Sequence, residues 1–108
     1  MMLLNEKTFK TETNSSLPIL VDFYADWCGP CKMLGPVLEE LSKDKDFESK
    51  LKFAKLSTED YPELSEQNGV QGIPCLIFFK EGKEVNRIVG FAPKPVLKAK
   101  INSVLESL

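Results

Sequence analysis

The chain has 108 residues, a length that suits one domain, and its 43% hydrophobic content is enough for a core without covalent staples. Fourteen basic residues against sixteen acidic ones leave a net charge of −2, with no basic stripe for nucleic acid and no block of like charge that would mark a disordered tail. Histidine is absent, which removes Cys–His and Ser–His nucleophile pairs, imidazole metal ligands and imidazole proton transfer near neutral pH.

The start, Met1-Met2-Leu3-Leu4-Asn5-Glu6-Lys7, has neither the basic beginning nor the apolar run of a signal peptide. The longest apolar stretches, such as Leu76-Ile77-Phe78-Phe79, are too short to span a bilayer. The expectation is a cytoplasmic monomer, one domain over residues 1–108, with no membrane or nucleic-acid partner. In such a compartment Cys28, Cys31 and Cys75 point to redox or catalytic use rather than to structural bridges.

Met2 to Leu4 reads as a short first strand, and Asn5 as the cap of a short helix over about Glu6 to Thr13. Asn14-Ser15-Ser16 is a loop. Ile19 to Tyr24 is a nearly continuous β-branched and aromatic run, the pattern of a strand covered on both faces. After the tight Cys28-Gly29-Pro30-Cys31 turn the period becomes helical from Lys32. Met33, Leu34, Val37, Leu38 and Leu41 share one face there, and Pro36 stands inside as a source of a kink. Leu51 to Leu56 is the next strand. Asp60-Tyr61-Pro62-Glu63 opens a short helix with Asp60 as its cap, and Asn68-Gly69 closes it. Cys75 to Lys80 and Glu84 to Val89 form a hairpin around Glu81-Gly82. A last helix begins near Lys94, with Leu97, Ile101, Val104, Leu105 and Leu108 at helical spacing. The order β-α-β-α-β-α-β-β-α implies an α/β domain whose mixed sheet carries helices on both faces.

The chemistry concentrates between Asp22 and Lys32. Two cysteines separated by two residues can close a small disulfide ring. A ring placed where a strand turns into a helix receives the helix's unpaired N–H groups at its first sulfur. That field and the second thiol favour thiolate at Cys28, which attacks a substrate disulfide; Cys31, one turn deeper, then attacks the mixed disulfide and releases reduced substrate. A bare pair of this spacing is also half of a zinc site, but Cys28, Cys31 and Cys75 make only three ligands and no histidine can complete a tetrahedron.

Trp27-Cys28-Gly29-Pro30-Cys31-Lys32, preceded by Val21-Asp22-Phe23, resembles the active-site stretch of thioredoxins. Gly72-Ile73-Pro74 resembles the cis-proline loop of that family, and Lys80-Glu81-Gly82-Lys83 followed by Val89-Gly90 resembles its final hairpin. The similarity runs in matching order from about Ile19 to the C-terminus. It implies a thioredoxin fold, a central mixed sheet of four or five strands flanked by four helices. It also implies a protein disulfide reductase without cofactor or metal, supplied with electrons by a thioredoxin reductase and passing them to protein disulfides. An oxidase or isomerase of the same fold is the alternative within redox chemistry, and Gly-Pro between the cysteines argues against it. A binding subunit that keeps the fold is the alternative outside it.

The resemblance assigns further roles. Asp22 matches a carboxylate buried behind the second cysteine, where a raised pKa lets it take the Cys31 proton through a water; the competing reading is an edge strand with Asp22 facing water. Lys55 matches that carboxylate's partner, against a plain solvated strand lysine. A cis Ile73–Pro74 bond brings the Ile73 backbone beside the cysteines, open to pairing with an extended substrate. Trp27, Gly29, Pro30 and Gly90 complete the groove, with a core role for Trp27 and an ordinary turn for Gly90 as the competing readings. Cys75, Thr58, Glu59, Phe91 and Tyr24 depart from common family residues. Cys75 is either a small buried residue at the start of a strand or a third thiol within exchange distance of the pair; strand alternation leaves its direction open.

Overall fold

The apolar run Ile19–Tyr24 (β2) is the centre of the molecule. The computed structural model describes all 108 residues and orders five strands β1-β3-β2-β4-β5, where β1 is Met2–Leu3, β3 is Lys52–Ser57, β4 is Cys75–Lys80 and β5 is Lys83–Val89. Strand β3 runs parallel to both β1 and β2, and the β2/β4 and β4/β5 pairs are antiparallel. A strand flanked on both sides and covered on both faces has no solvent side, which is why β2 is apolar without alternation.

Four helices cover the sheet: α1 (Glu6–Thr13), α2 (Gly29–Ser42), α3 (Pro62–Gln67) and α4 (Lys94–Glu106). Alternation along the strands sorts the core into two layers. Leu20, Phe53, Leu76 and Phe78 meet Leu34, Leu38 and Leu41 of α2 and Leu97, Ile101 and Val104 of α4. On the opposite face Ile19, Val21, Phe23, Ala54, Leu56, Ile77 and Phe79 meet Phe9 of α1, with Tyr61 and Leu64 at α3 against them. Each large aliphatic or aromatic side chain buried here contributes roughly 1.5–3 kcal/mol. This is the mixed, four-helix α/β architecture that the sequence leads one to expect, with the sheet at five strands.

Local signals decide most boundaries. The Asn5 side chain accepts the Thr8 N–H at 2.8 Å and the Thr8 hydroxyl accepts the Asn5 N–H at 2.8 Å, a reciprocal cap that starts α1. Glu81 (φ 53°) and Gly82 (φ 80°) both take the left-handed conformation that a two-residue hairpin needs.

Several expectations need correction. Helix α2 starts at Gly29, three residues before Lys32, because Cys28 itself is the cap and Pro30 is tolerated in a first turn whose N–H groups have no intrahelical partner. Met33 is 61% exposed, so the apolar stripe is narrower than the sequence pattern suggests. Asp60 does not cap α3: Tyr61 holds that position with no side-chain bond, while the Asp60 N–H is used by Ser57 Oγ at 3.2 Å. Leu108 lies beyond the end of α4 and is exposed.

Candidate functional site

Where β2 ends, the chain turns through Ala25-Asp26-Trp27 into α2. The turn is closed by a Cys28 N–H to Ala25 carbonyl bond of 3.2 Å. Cys28 is the helix cap and Cys31 lies in the first turn, so their Cα atoms stand 5.2 Å apart and the two sulfurs form a disulfide. The Cys31 N–H donates to Cys28 Sγ at 3.2 Å, and the first helical bond, Lys32 N–H to the Cys28 carbonyl, follows at 3.1 Å. The Cys31 N–H, one of the donors that a helix start leaves unpaired, therefore points at the first sulfur, where it stabilises negative charge once the disulfide is opened. By area the two cysteines are equally covered, at 5% exposure each. What distinguishes them is their surroundings.

Cys28 faces the loop before β4. The Ile73–Pro74 bond is cis, and Cys28 Sγ lies 3.8 Å from the Ile73 carbonyl oxygen. Ile73 packs against the small cluster of Ala25, Cys28 and Cys31. The loop is tied to β5 by the Gly90 N–H, which donates to the Pro74 carbonyl at 2.8 Å, and Gly90 reaches that position at φ 92°, a conformation glycine adopts without strain. Gly90 is thus a turn glycine and a support of the site at once. Trp27 is 69% exposed, which rules out the core role, and Gly29 and Pro30 are exposed beside it. Phe91 is also exposed, at the residue after Gly90.

Cys31 faces a different place. It lines a cavity of about 180 Å³ together with Asp22, Tyr24, Asp26, Lys32, Gly35 and Lys55. Asp22 is buried at 3% exposure in the central strand, so the edge-strand reading is overturned: β3 and β4 flank β2 on either side. Its Oδ1 has no hydrogen-bond partner. Burial pushes its carboxyl up to about 7 from the usual 3.8, against the opposing pull of the Lys55 charge. Lys55 pairs in register with Asp22 across the parallel strands, is only part-exposed, and holds its ammonium 5.4 Å above the Tyr24 ring. It is therefore more than a solvated strand lysine. Sequence reading singled out Asp22, Cys31 and Lys55 but not Asp26, Lys32 or Gly35 as cavity residues. Their places one and four residues beyond Cys31, and four beyond Asp22, are the only local signal for it.

Cys75 is a free thiol at 1% exposure. It belongs to the core layer of Val21, Phe23, Ile77 and Phe79 under α1 and α3, whereas α2 packs on the other face of the sheet. Burial pushes this thiol up, which makes it a poor nucleophile. Replacing it by the usual family residue, Cys75→Thr, is expected to leave disulfide exchange unchanged and to cost at most about 1–3 kcal/mol if the added hydroxyl finds no partner. Alkylation of the oxidised protein followed by peptide mapping checks the placement. Cys75 should label only on unfolding, and a linked Cys28–Cys75 or Cys31–Cys75 peptide would overturn it.

No group of three or more Cys, Asp or Glu side chains is arranged to hold a metal ion, and no helix is long and apolar enough to cross a membrane.

Comparison with known proteins follows the same geometry. The family model described as Thioredoxin matches residues 1–103. A thioredoxin of Alicyclobacillus acidocaldarius is 41% identical over 105 residues, covering 97% of this chain and 98% of that one. A thioredoxin of Pyropia yezoensis is 39% identical over 103 residues, 94% of each chain. The crystal structure of a Malassezia sympodialis thioredoxin superposes with a TM-score of 0.87 at 31% identity, over 96% of this chain and 92% of that one.

Proposed function

We infer the working mechanism of this chain from its membership of the thioredoxin family. The chain is a dithiol–disulfide reductase whose reacting pair is Cys28 and Cys31. The observation that carries this reading is the disulfide at the start of α2, with the Cys31 N–H aimed at Cys28 Sγ.

In the reduced protein, Cys28 thiolate attacks one sulfur of a protein disulfide. The substrate's other sulfur leaves as thiolate, and Cys28 holds the first in a mixed disulfide. Cys31 then loses its proton and attacks Cys28 Sγ. The second substrate thiolate departs, leaving the Cys28–Cys31 disulfide that the structure shows. Two electrons have passed to the substrate. A reductase restores the dithiol, and the family membership favours a thioredoxin reductase for that step.

Asp22 is the proposed acceptor for the Cys31 proton. The two residues line one cavity, and a carboxyl titrating near neutrality is matched to a proton it must take up and give back. Lys55 would balance the Asp22 charge when it forms. The Ile73 backbone is the proposed edge for an extended substrate, which adds as a strand beside Cys28. Trp27, Gly29, Pro30, Pro74 and Gly90 shape that groove. We further take the chain as one domain acting as a monomer, which leaves exposed Trp27 free for substrate. A buried free Cys75 suits a reducing compartment, so the cytoplasm is the proposed location.

The direct test is reduction of insulin by the protein in the presence of dithiothreitol, followed as precipitation of the released B chain. Acceleration well above dithiothreitol alone is expected, and no acceleration by a folded, fully reduced protein would refute the reading.

A further inference from the structure

The segment from Asn68 to Pro74 joins α3 to β4 and ends on the Ile73 backbone that lies against Cys28. Strand β5 and the glycine that follows it hold both of its ends. At the far end Gly90 donates its N–H to the Pro74 carbonyl at 2.8 Å. At the near end Arg87 donates through Nη2 to the Asn68 carbonyl at 2.7 Å and through Nη1 to the Gly69 carbonyl at 3.2 Å. Between them the chain comes close to the strand: a Cβ on Gly72 would stand 3.7 Å from Val89 Cγ1.

Arg87 is itself fixed. Glu84 accepts from Nε and Nη2 at 2.7 Å each, a two-pronged pairing that sets the guanidinium plane. Arg87 pairs with Ile77 in the β4/β5 register, which directs it to the face where α3 lies. The carbonyls it meets are those that a helix end leaves without donors, Asn68 being the cap of α3 and Gly69 the left-handed residue after it. A half-exposed ion pair contributes little to stability. Its consequence is geometric: it sets where the 68–74 segment starts over the sheet.

We propose that Arg87 is a positioning residue for substrate docking, holding the segment that presents the Ile73 backbone beside Cys28. This rests on the disulfide-reductase reading above. A protein disulfide must pair with that backbone as well as reach the sulfur, whereas a small aromatic disulfide needs only the sulfur. The clamp therefore affects the two unequally.

The test uses the chemically reduced protein and compares second-order rate constants for insulin and for 5,5′-dithiobis(2-nitrobenzoate). In Arg87→Met the insulin rate is expected to fall by about tenfold, since small displacements of a docking edge are costly in rate. The small-disulfide rate should stay within about twofold, as the sulfur chemistry is untouched. Arg87→Lys, which can engage one carbonyl, should recover part of the loss. Amide NMR shifts of Gly72 and Ile73 should move in Arg87→Met and return towards the parent values in Arg87→Lys. Should Arg87→Met fail to fold, Glu84→Gln decides: it leaves the carbonyl contacts but frees the guanidinium plane, so a smaller loss confined to insulin is expected. Equal slowing of both substrates, or an unchanged insulin rate, overturns the proposal. If the unsubstituted protein reduces the small disulfide but not insulin, the reductase reading fails and this proposal falls with it. An active parent beside an unimpaired Arg87 or Glu84 variant sinks the proposal alone.

Discussion

Replacing Cys28 by serine should abolish protein disulfide reduction, whereas replacing Cys31 by serine should leave the protein covalently attached to its substrate. The two cysteines are equally covered, so exposure does not assign these roles. Position does. Cys28 caps α2, receives the Cys31 N–H at 3.2 Å and lies against the Ile73 carbonyl at 3.8 Å, the edge where a substrate strand would lie. Cys31 is one residue pair into the helix and turns towards the cavity it shares with Asp22. A serine hydroxyl at position 28 has too high a pKa to act as nucleophile near neutral pH, so turnover in Cys28→Ser should fall by roughly 10³-fold or more. Cys31→Ser keeps the first attack and loses the second. It should accumulate a mixed disulfide in about one-to-one amount, visible by mass spectrometry under non-reducing conditions and released by dithiothreitol. Multiple turnovers by Cys31→Ser with a reductase would show that the second sulfur is not the resolving one.

The other large effect concerns Asp22 and has a sign that runs against the usual carboxylate. Its folded pKa of about 7 lies above the ordinary 3.8, so between those values the native state binds the proton more tightly than the unfolded chain. Its contribution is most favourable below about pH 4, is lost as the pH rises through about 7, and is level above that. A shift of about three units corresponds to a loss on the order of 4 kcal/mol. In Asp22→Ala that loss disappears. The stability of the variant relative to the parent, from urea unfolding of the oxidised proteins, should rise by a similar amount between pH 4 and pH 8. The small cavity left by the truncation offsets both values equally and drops out of the comparison. A stability difference that does not change with pH would show that the carboxyl is not destabilised by burial.

The same residue has a kinetic signature. Asp22→Asn keeps the shape but accepts no proton at neutral pH. It should slow resolution of the mixed disulfide by roughly ten- to a hundredfold while the first attack by Cys28 is much less affected. Single-turnover measurements separate the steps, and equal slowing of both would remove the proton-acceptor role.

Particular residues show how much of this was legible before folding. The reacting pair was legible because Cys28 and Cys31 lie within one turn of chain, at the point where a buried-strand pattern gives way to a helical one. The apolar stretch Ile19–Tyr24 announced a doubly covered strand, and Glu81-Gly82 announced a hairpin, each through a local pattern. The start of α2 was misplaced because the capping group is a cysteine sulfur, and the cap of α3 because the helix begins only at Pro62, which leaves Tyr61 in the cap position. In both places the cap position is held by a residue outside the usual Ser, Thr, Asp and Asn set.

The sequence by itself determined the redox pair, the strand and helix succession and the two-faced apolar patterning, since these depend on neighbours a few residues away. Only the tertiary structure decided what depends on sheet order and register. Strand β2 sits between β3 and β4, and that placement denies Asp22 solvent and lifts its carboxyl. The register of β2 against β3 sets Lys55 opposite it. The direction of Cys75 was undecidable from a strand apolar on both faces. It was settled when β4 placed that thiol with Val21, Phe23 and Ile77, while α2 packed on the other side. Arg87 had no sequence signal, because its partners lie 18 and 19 residues away on a helix end brought over β5 by the α3–β4 connection. A one-residue change of register would turn each of these side chains to the opposite face without altering any local propensity, and so the packed sheet, not the chain's local pattern, makes the choice.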